Sequence, residues 1–299
     1  MEGYHRSVLL KGAIDALDIK AGNWYLDCTL GDGGHTLEIL KRGGKVVGID
    51  VDPKALERVH KRLGSLGVLG NAVLIQGNFR DLKNLIFSQA DTVGSKIKGA
   101  IFDLGVSSLQ LESPERGFSF ALEGPLDMRM DPGLQVRALD LLNTLTRKEL
   151  NELFRNLGEE KYSWKLADAL VSAREVGQVT TTKDLAEVVE KVYRRMGIRD
   201  SKIHPATRVF QALRMVINDE LGALQEGLDQ VKEIIEKNGC IVVISFHSLE
   251  DRIVKNAFKQ WKLAGLGEVL TRKPVVPSDQ EIAENPRSRS AKMRVFKKL

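Results

Sequence analysis

Cysteine is nearly absent from this chain: Cys28 and Cys240 are the only two. They lie far apart, each in an apolar, strand-like run. Neither has a second Cys or a His at ligand spacing. A disulfide scaffold is therefore excluded, no metal site is expected, and both read as small core residues of a reducing compartment. Long apolar runs are missing too, and nothing approaches the ~20 residues that span a bilayer. Met1 to Arg6 carries an acid and two rings in place of an apolar leader core, so no secretory signal is expected. These absences point to a cytoplasmic protein. No internal repeat or low-complexity tract is visible, and no Gly-Lys-Ser/Thr phosphate turn occurs, which excludes a P-loop.

What is present suffices for a folded protein. Apolar residues make up 42% and charged residues 28% of the 299 positions, a balance that supports a buried core. The net charge is only +5, but it is unevenly spread. Residues 191–214 hold seven basic side chains against one acid, and residues 287–298 hold six and none. These two stretches carry a net +12 and the rest of the chain −7. Such asymmetry points to local contact with a polyanion.

The first hundred residues alternate strand and helix signals. Strands are predicted at Trp24–Leu30, Val46–Ile49, Val73–Gln76 and Gly99–Leu104, with helices at Thr36–Arg42 and from Lys54 to about Leu63. That alternation means a parallel sheet with helices on both faces. From 113 to 217 the pattern turns helical, with apolar residues at helical spacing over Leu139–Leu145, Lys148–Leu157, Ser163–Arg174, Thr182–Met196 and Ala206–Asn218. The sheet then resumes: a helix over Leu221–Lys237 ends at Asn238-Gly239, Cys240–Phe246 is a central strand, Ser248–Trp261 a helix, and Glu268–Arg272 and Lys292–Lys297 edge strands. The expected organisation is a discontinuous α/β domain, 1–112 with 216–299, interrupted by a helical insertion at 113–215 that recognises the substrate.

The sharpest motif is Asp27-Cys28-Thr29-Leu30-Gly31-Asp32-Gly33-Gly34-His35, placed between a strand and a helix. Glycines there let the backbone turn tightly and approach a ligand. The second strand ends at Asp50, an acid suited to accept hydrogen bonds from two ribose hydroxyls. Asp52 reads as a solvent-facing residue before Pro53. Gly77-Asn78-Phe79 closes the third strand, where the Phe79 ring can lie on an adenine, and Asp103 closes the fourth. A dinucleotide fingerprint fails, because its third glycine position, counted from Gly31, is Thr36. A ligand with ribose and adenine but no pyrophosphate fits better, and S-adenosylmethionine is such a ligand.

In this form the sequence resembles the bacterial 16S ribosomal RNA cytosine-N4 methyltransferases. Besides the glycine motif, the resemblance rests on Phe102-Asp-Leu-Gly-Val-Ser-Ser108, Glu115-Arg-Gly-Phe-Ser-Phe120, Gly124-Pro-Leu-Asp-Met-Arg-Met-Asp-Pro132, His204-Pro-Ala-Thr-Arg208, Ser245-Phe-His-Ser-Leu-Glu-Asp-Arg252 and Asn285-Pro-Arg-Ser-Arg-Ser290. It implies a Rossmann-like class I S-adenosylmethionine-dependent methyltransferase fold with an inserted all-helical domain. It also implies that Gly33, Gly34, His35, Asp50, Phe79, Asp103 and Gln110 contact the cofactor, and that the substrate is a cytidine of the decoding centre in 16S rRNA or the small ribosomal subunit.

Methylating the exocyclic amine of cytosine needs in-line approach and an acceptor for the amine proton. Many amino methyltransferases supply it from an Asp/Asn-Pro-Pro-aromatic turn after the fourth strand. This chain has Asp103-Leu-Gly-Val-Ser-Ser108 there instead. The candidates are therefore Asp103, Ser107, Ser108, Ser245 and His247. Attack on cytosine C5 would need a nucleophilic Cys, and neither Cys sits in a Pro-Cys turn. Asp127, Arg129 and Asp131 are expected on a loop over the site. Arg194, Arg195, Arg199, Lys202 and Arg208 are the candidate phosphate contacts, with the target base extruded toward the cofactor. No membrane or metal partner is expected, and a homodimer is left open. Two other readings stand beside this one: an amino methyltransferase acting on DNA, and a non-catalytic ribosome-assembly factor that binds the same cofactor.

Overall fold

The computed structural model describes residues 4, 6–94, 97–177, 179–198 and 203–299. It divides into two compact units, one built from residues up to Gly105 and from Leu221–Leu299, the other from Val106–Glu220.

The first unit is a seven-stranded sheet. Its strands are β1 (Trp24–Asp27), β2 (Lys45–Asp50), β3 (Ala72–Gln76), β4 (Ile97–Asp103), β5 (Ile235–Ser245), β6 (Gly267–Val269) and β7 (Lys292–Lys298). Their order is β3-β2-β1-β4-β5-β7-β6. The first five are parallel, β7 runs antiparallel to β5, and β6 antiparallel to β7. The fold is thus Rossmann-like, with its order reversing between β1 and β4. In such a sheet that reversal opens a crevice at the carboxyl ends of the strands. The apolar runs of the central strands are explained by burial on both faces. Along β4 and β5, Ala100, Phe102, Ile241 and Val243 enter one core, while Ile101, Val242 and Ile244 enter the other.

One irregularity departs from expectation. The preceding helix stops at Ile234 and β5 begins at once, with Ile235 pairing to Ile97 before the register shifts to Gly99 against Cys240. Asn238 takes a left-handed φ of 64°, a conformation Asn tolerates. Asn238-Gly239 therefore marks a bulge inside the strand rather than a helix end. The helices Leu10–Leu17 and Asp279–Glu284 are further elements that the sequence reading left unassigned.

The second unit is helical. Its longer helices are Ala138–Thr144, Arg147–Asn156, Ser163–Glu175, Thr182–Arg195 and Ala206–Ile217. They enclose their own core, in which Phe154, Leu166, Leu185, Val189, Val209 and Leu213 are buried. Thr146 and Thr181 each close a capping box with the acid three residues on, Glu149 and Asp184. The unit begins earlier and ends later than the 113–215 expected. Val106 and Leu111 already pack on the helical core. At the other end the Asn218 side chain accepts the Met130 N–H at 2.7 Å and donates to Met128 O at 2.8 Å.

Candidate functional site

The glycine turn after β1 is tight for reasons internal to the protein. Gly31 and Gly33 have φ values of 48° and 70°, a region where a Cβ is costly. A Cβ on Gly33 would also meet Val59 at 2.9 Å, and one on Gly34 would run into the Ser7 hydroxyl. These two glycines thus let the helices Gly34–Lys41 and Pro53–Ser65 and the N-terminal segment close around the turn. Asp32 is held from outside, with Arg58 Nε 2.9 Å from its carboxylate and Arg62 donating to its carbonyl at 2.5 Å. Both guanidinium groups lie over the Tyr4 ring, at 4.8 and 4.2 Å.

Three carboxylates converge on the strand ends. Asp50, last residue of β2, accepts the Gly31 N–H at 2.8 Å on one oxygen and the Asp52 N–H at 2.9 Å on the other. Burial nevertheless pushes its carboxyl up to about 6. Asp27, last residue of β1, is fully enclosed, accepts the Thr36 hydroxyl at 2.7 Å, and is pushed up by burial. Asp103, last residue of β4, has its backbone N–H on the Thr29 hydroxyl at 2.6 Å and its Oδ2 3.3 Å from His35 Nε2. Burial alone would lower the ionisation of His35, but the neighbouring Asp103 and Asp27 outweigh it and the imidazole holds its proton above the usual range. Asp103 Oδ1 and His35 Nδ1 are both buried and have no hydrogen-bond partner among the described residues. Thr29, Thr36 and Asp27 as a connecting network were missed from sequence. Hydroxyls beside a strand-end acid in the motif were the available signal.

Asp52 corrects an expectation. It is 1% exposed and caps the helix Pro53–Ser65, accepting the Lys54 N–H at 3.1 Å, so it is no solvent-facing residue. Phe79 packs edge-on against Phe102, with centroids 5.5 Å apart.

Among the candidate proton acceptors, three have structural work. Ser245 is buried and donates to Lys292 O at 3.3 Å, across the β5–β7 edge. His247 caps the helix Ser248–Leu263, its Nδ1 taking the Glu250 N–H at 3.4 Å while its Nε2 lies 3.1 Å from Glu250 Oε1. Ser107 caps the helix Ser108–Glu112, which Ser108 opens, and closes a box with Gln110: the Ser107 N–H donates to Gln110 Oε1 at 3.0 Å. Gln110 is buried, at 4% exposed.

The expected loop residues Asp127, Arg129 and Asp131 hold their own loop together. Arg129 forms a two-pronged pair with Asp127 at 2.8 Å on each side and donates to Leu134 O at 2.5 Å, and Asp131 takes the Gly133 N–H at 2.8 Å. Of the basic residues in the helical unit, Arg195 is exposed and has no ion pair among the described residues. Arg194 lies 3.9 Å from Glu190, and Arg208 3.8 Å from the buried Glu160. Arg199 and Lys202 lie outside the described residues. Arg214 is tied to Glu220 by two bonds of 2.7 and 2.8 Å. The C-terminal stretch likewise turns part of its charge inward, Arg294 being buried against Asp251 and Lys298 donating to the carbonyls of Lys232 and Ile235 at 2.7 Å. Among the described residues no helix is long and apolar enough to cross a membrane.

A model of the MraW methylase family matches residues 2–299. The chain is 44% identical to the ribosomal RNA small subunit methyltransferase H of Carboxydothermus hydrogenoformans, covering 100% of this chain and 99% of that protein. It is 42% identical to the protein of the same name in Persephonella marina, over 99% of each. Among solved structures, an rRNA methylase from Streptococcus thermophilus is similar over 96% of this chain and 95% of that one, at 13% identity and a TM-score of 0.44. At that distance the likeness assigns no residue.

Proposed function

Because the chain belongs to the MraW methylase family, we propose that it transfers a methyl group from S-adenosylmethionine to N4 of a cytidine in the decoding centre of small-subunit ribosomal RNA, in the bacterial cytoplasm. The full-length match to relatives named for that rRNA carries the substrate class. The strand-end carboxylates carry the chemistry.

The residues fit the cofactor. Each Asp50 oxygen accepts one backbone N–H, which leaves a lone pair on each for a ribose hydroxyl. The turn holding Gly33 and Gly34 follows the carboxyl end of β1, where such sheets bind ligands, and Phe79 supplies an apolar surface for an adenine. S-adenosylmethionine supplies the electrophilic methyl. Asp103 then acts on the other reactant. One of its oxygens faces His35 and the other lacks a partner. The carboxylate, whose side chain keeps 21% of its surface exposed, accepts from the amine N4, localises its lone pair, and takes the proton that leaves once the N–CH3 bond has formed. The proton passes to Asp103 as the sulfonium becomes a neutral sulfide, so charge balances. Thr29, through the Asp103 N–H, and His35, through Oδ2, are positioning residues.

Radiolabelled S-adenosylmethionine with small subunits lacking the modification tests this. Label on N4 of one decoding-centre cytidine is the expected result. Label on DNA alone would move the activity to a DNA amino methyltransferase, and cofactor binding without label on any RNA would leave an assembly factor.

A further inference from the structure

The segment His204-Pro-Ala-Thr-Arg208 has no part in the chemistry just described, yet His204 is held with unusual definition for an exposed ring. Its side chain is 37% exposed. One face stacks on Phe120, with centroids 4.4 Å apart and planes 20° from parallel. Phe120 in turn meets Phe210, a buried residue of the helical core, edge-on at 5.3 Å. Both edges of the imidazole are also engaged. Nδ1 accepts the Ala206 N–H at 3.2 Å and so carries no proton, and Nε2 lies 3.0 Å from Glu190 Oε1 as the donor. Among the described residues one face is backed and both nitrogens are occupied, which leaves the other face for the exposed part of the side chain.

Its surroundings are cationic. Glu190 lies between His204 and Arg194, at 3.0 and 3.9 Å, and Arg195 follows on the same helix, exposed. Arg208 stands one turn further along the chain from His204, 40% exposed. Ile203, 48% exposed, adds apolar surface beside the ring. A fixed aromatic face flanked by guanidinium groups is how proteins hold unpaired nucleotides: the base stacks and the phosphates meet the cations.

Building on the rRNA substrate proposed above, we propose that His204, backed by Phe120, is a stacking platform for an unpaired base of the RNA, with Arg194, Arg195 and Arg208 on the adjoining phosphates. The face of the ring, rather than its nitrogens, makes the contact.

The test uses the full chain and a single-stranded oligoribonucleotide carrying 2-aminopurine, whose fluorescence is quenched on stacking. The wild type should bind and quench. His204→Ala should weaken binding about 5- to 100-fold and abolish the quench, leaving the slope of log affinity against log salt unchanged. His204→Phe should keep the quench. Phe120→Leu, which removes the backing ring, should give a weaker version of the His204→Ala result. Unchanged cofactor affinity in each variant shows that it has folded. Equal losses in His204→Ala and His204→Phe, or a quench that survives His204→Ala, would overturn the platform. So would binding by the wild type without any quench. A wild type that methylates subunits while failing these tests removes this inference alone; one that neither binds RNA nor methylates removes the proposed function as well.

Discussion

The two units of this chain handle charge in opposite ways. In the sheet unit Asp27, Asp50 and Asp103 sit at strand ends and His35 in the first turn of a helix, buried or half-buried and fixed by backbone amides, threonine hydroxyls and one another. In the helical unit Arg194, Arg195 and Arg208 stand on helix surfaces, with loose or no ion pairs. The contrast follows from the ligands. A small cofactor and a reacting amine need a few groups at set positions, where a low dielectric amplifies each interaction. A polyanion needs exposed cations, whose attraction is long-ranged and tuned by salt.

The comparison can be broken most sharply at Asp103. Asp103→Asn should lower kcat by at least about 100-fold, as loss of a general base does, with little change in cofactor Kd. Calorimetry and single-turnover rates separate the two. A large loss of affinity with the rate intact would make Asp103 a cofactor contact instead.

Asp50 comes next. Asp50→Ala should weaken cofactor binding roughly 10- to 100-fold, the scale of hydrogen bonds to a charged acceptor. The same residue sets a pH dependence. Ribose hydroxyls donate to the ionised carboxylate, and that carboxylate gains its proton as pH falls through about 6. Affinity should therefore be full above that pH and decline below it. Titrations showing no decline down to about pH 5 would remove Asp50 from the ribose.

A smaller effect is expected in the helical unit. Reversing Arg194 and Arg195 to Glu should lower RNA affinity roughly tenfold and reduce the salt slope by about one to two, with cofactor affinity unmoved. An unaltered slope would put the phosphate contacts elsewhere. The smallest change is at His247. His247→Ala should cost about 1 kcal/mol of stability through the lost cap and leave kcat almost untouched. A collapse of kcat in a folded variant would return His247 to the list of acceptors.

Sequence made the sheet and the acids at its strand ends legible, because buried parallel strands are continuous apolar runs and Asp50 and Asp103 close two of them. Helical spacing exposed the inserted unit equally well. What escaped was local bonding. Ser107 and His247 looked catalytic because hydroxyl and imidazole groups stood at strand ends. Yet Gln110 and Glu250, three residues on, spell capping boxes. Gly33 and Gly34 also make room for Val59 and Ser7, packing that spacing alone does not show. The pairing of His35 with Asp103 joins residues far apart in the chain, and spacing alone carries no record of it.

The bond between β4 and β5 has a consequence for how the molecule comes into being. These strands are neighbours in the middle of the sheet, but the whole of Val106–Glu220 separates them along the chain. During synthesis β1 to β4 emerge with one edge of β4 open, and that edge waits for more than a hundred further residues. Meanwhile the helical unit closes through short-range contacts, which form fast, while the distant strand pairing bears the entropy of a long loop. The helical unit should therefore mature first and the pairing of β4 with β5 last. Pulse-labelled hydrogen exchange during refolding of the intact chain should find its amides protected ahead of those in β4. A chain built in this order completes the middle of its sheet only after the whole helical unit has been made.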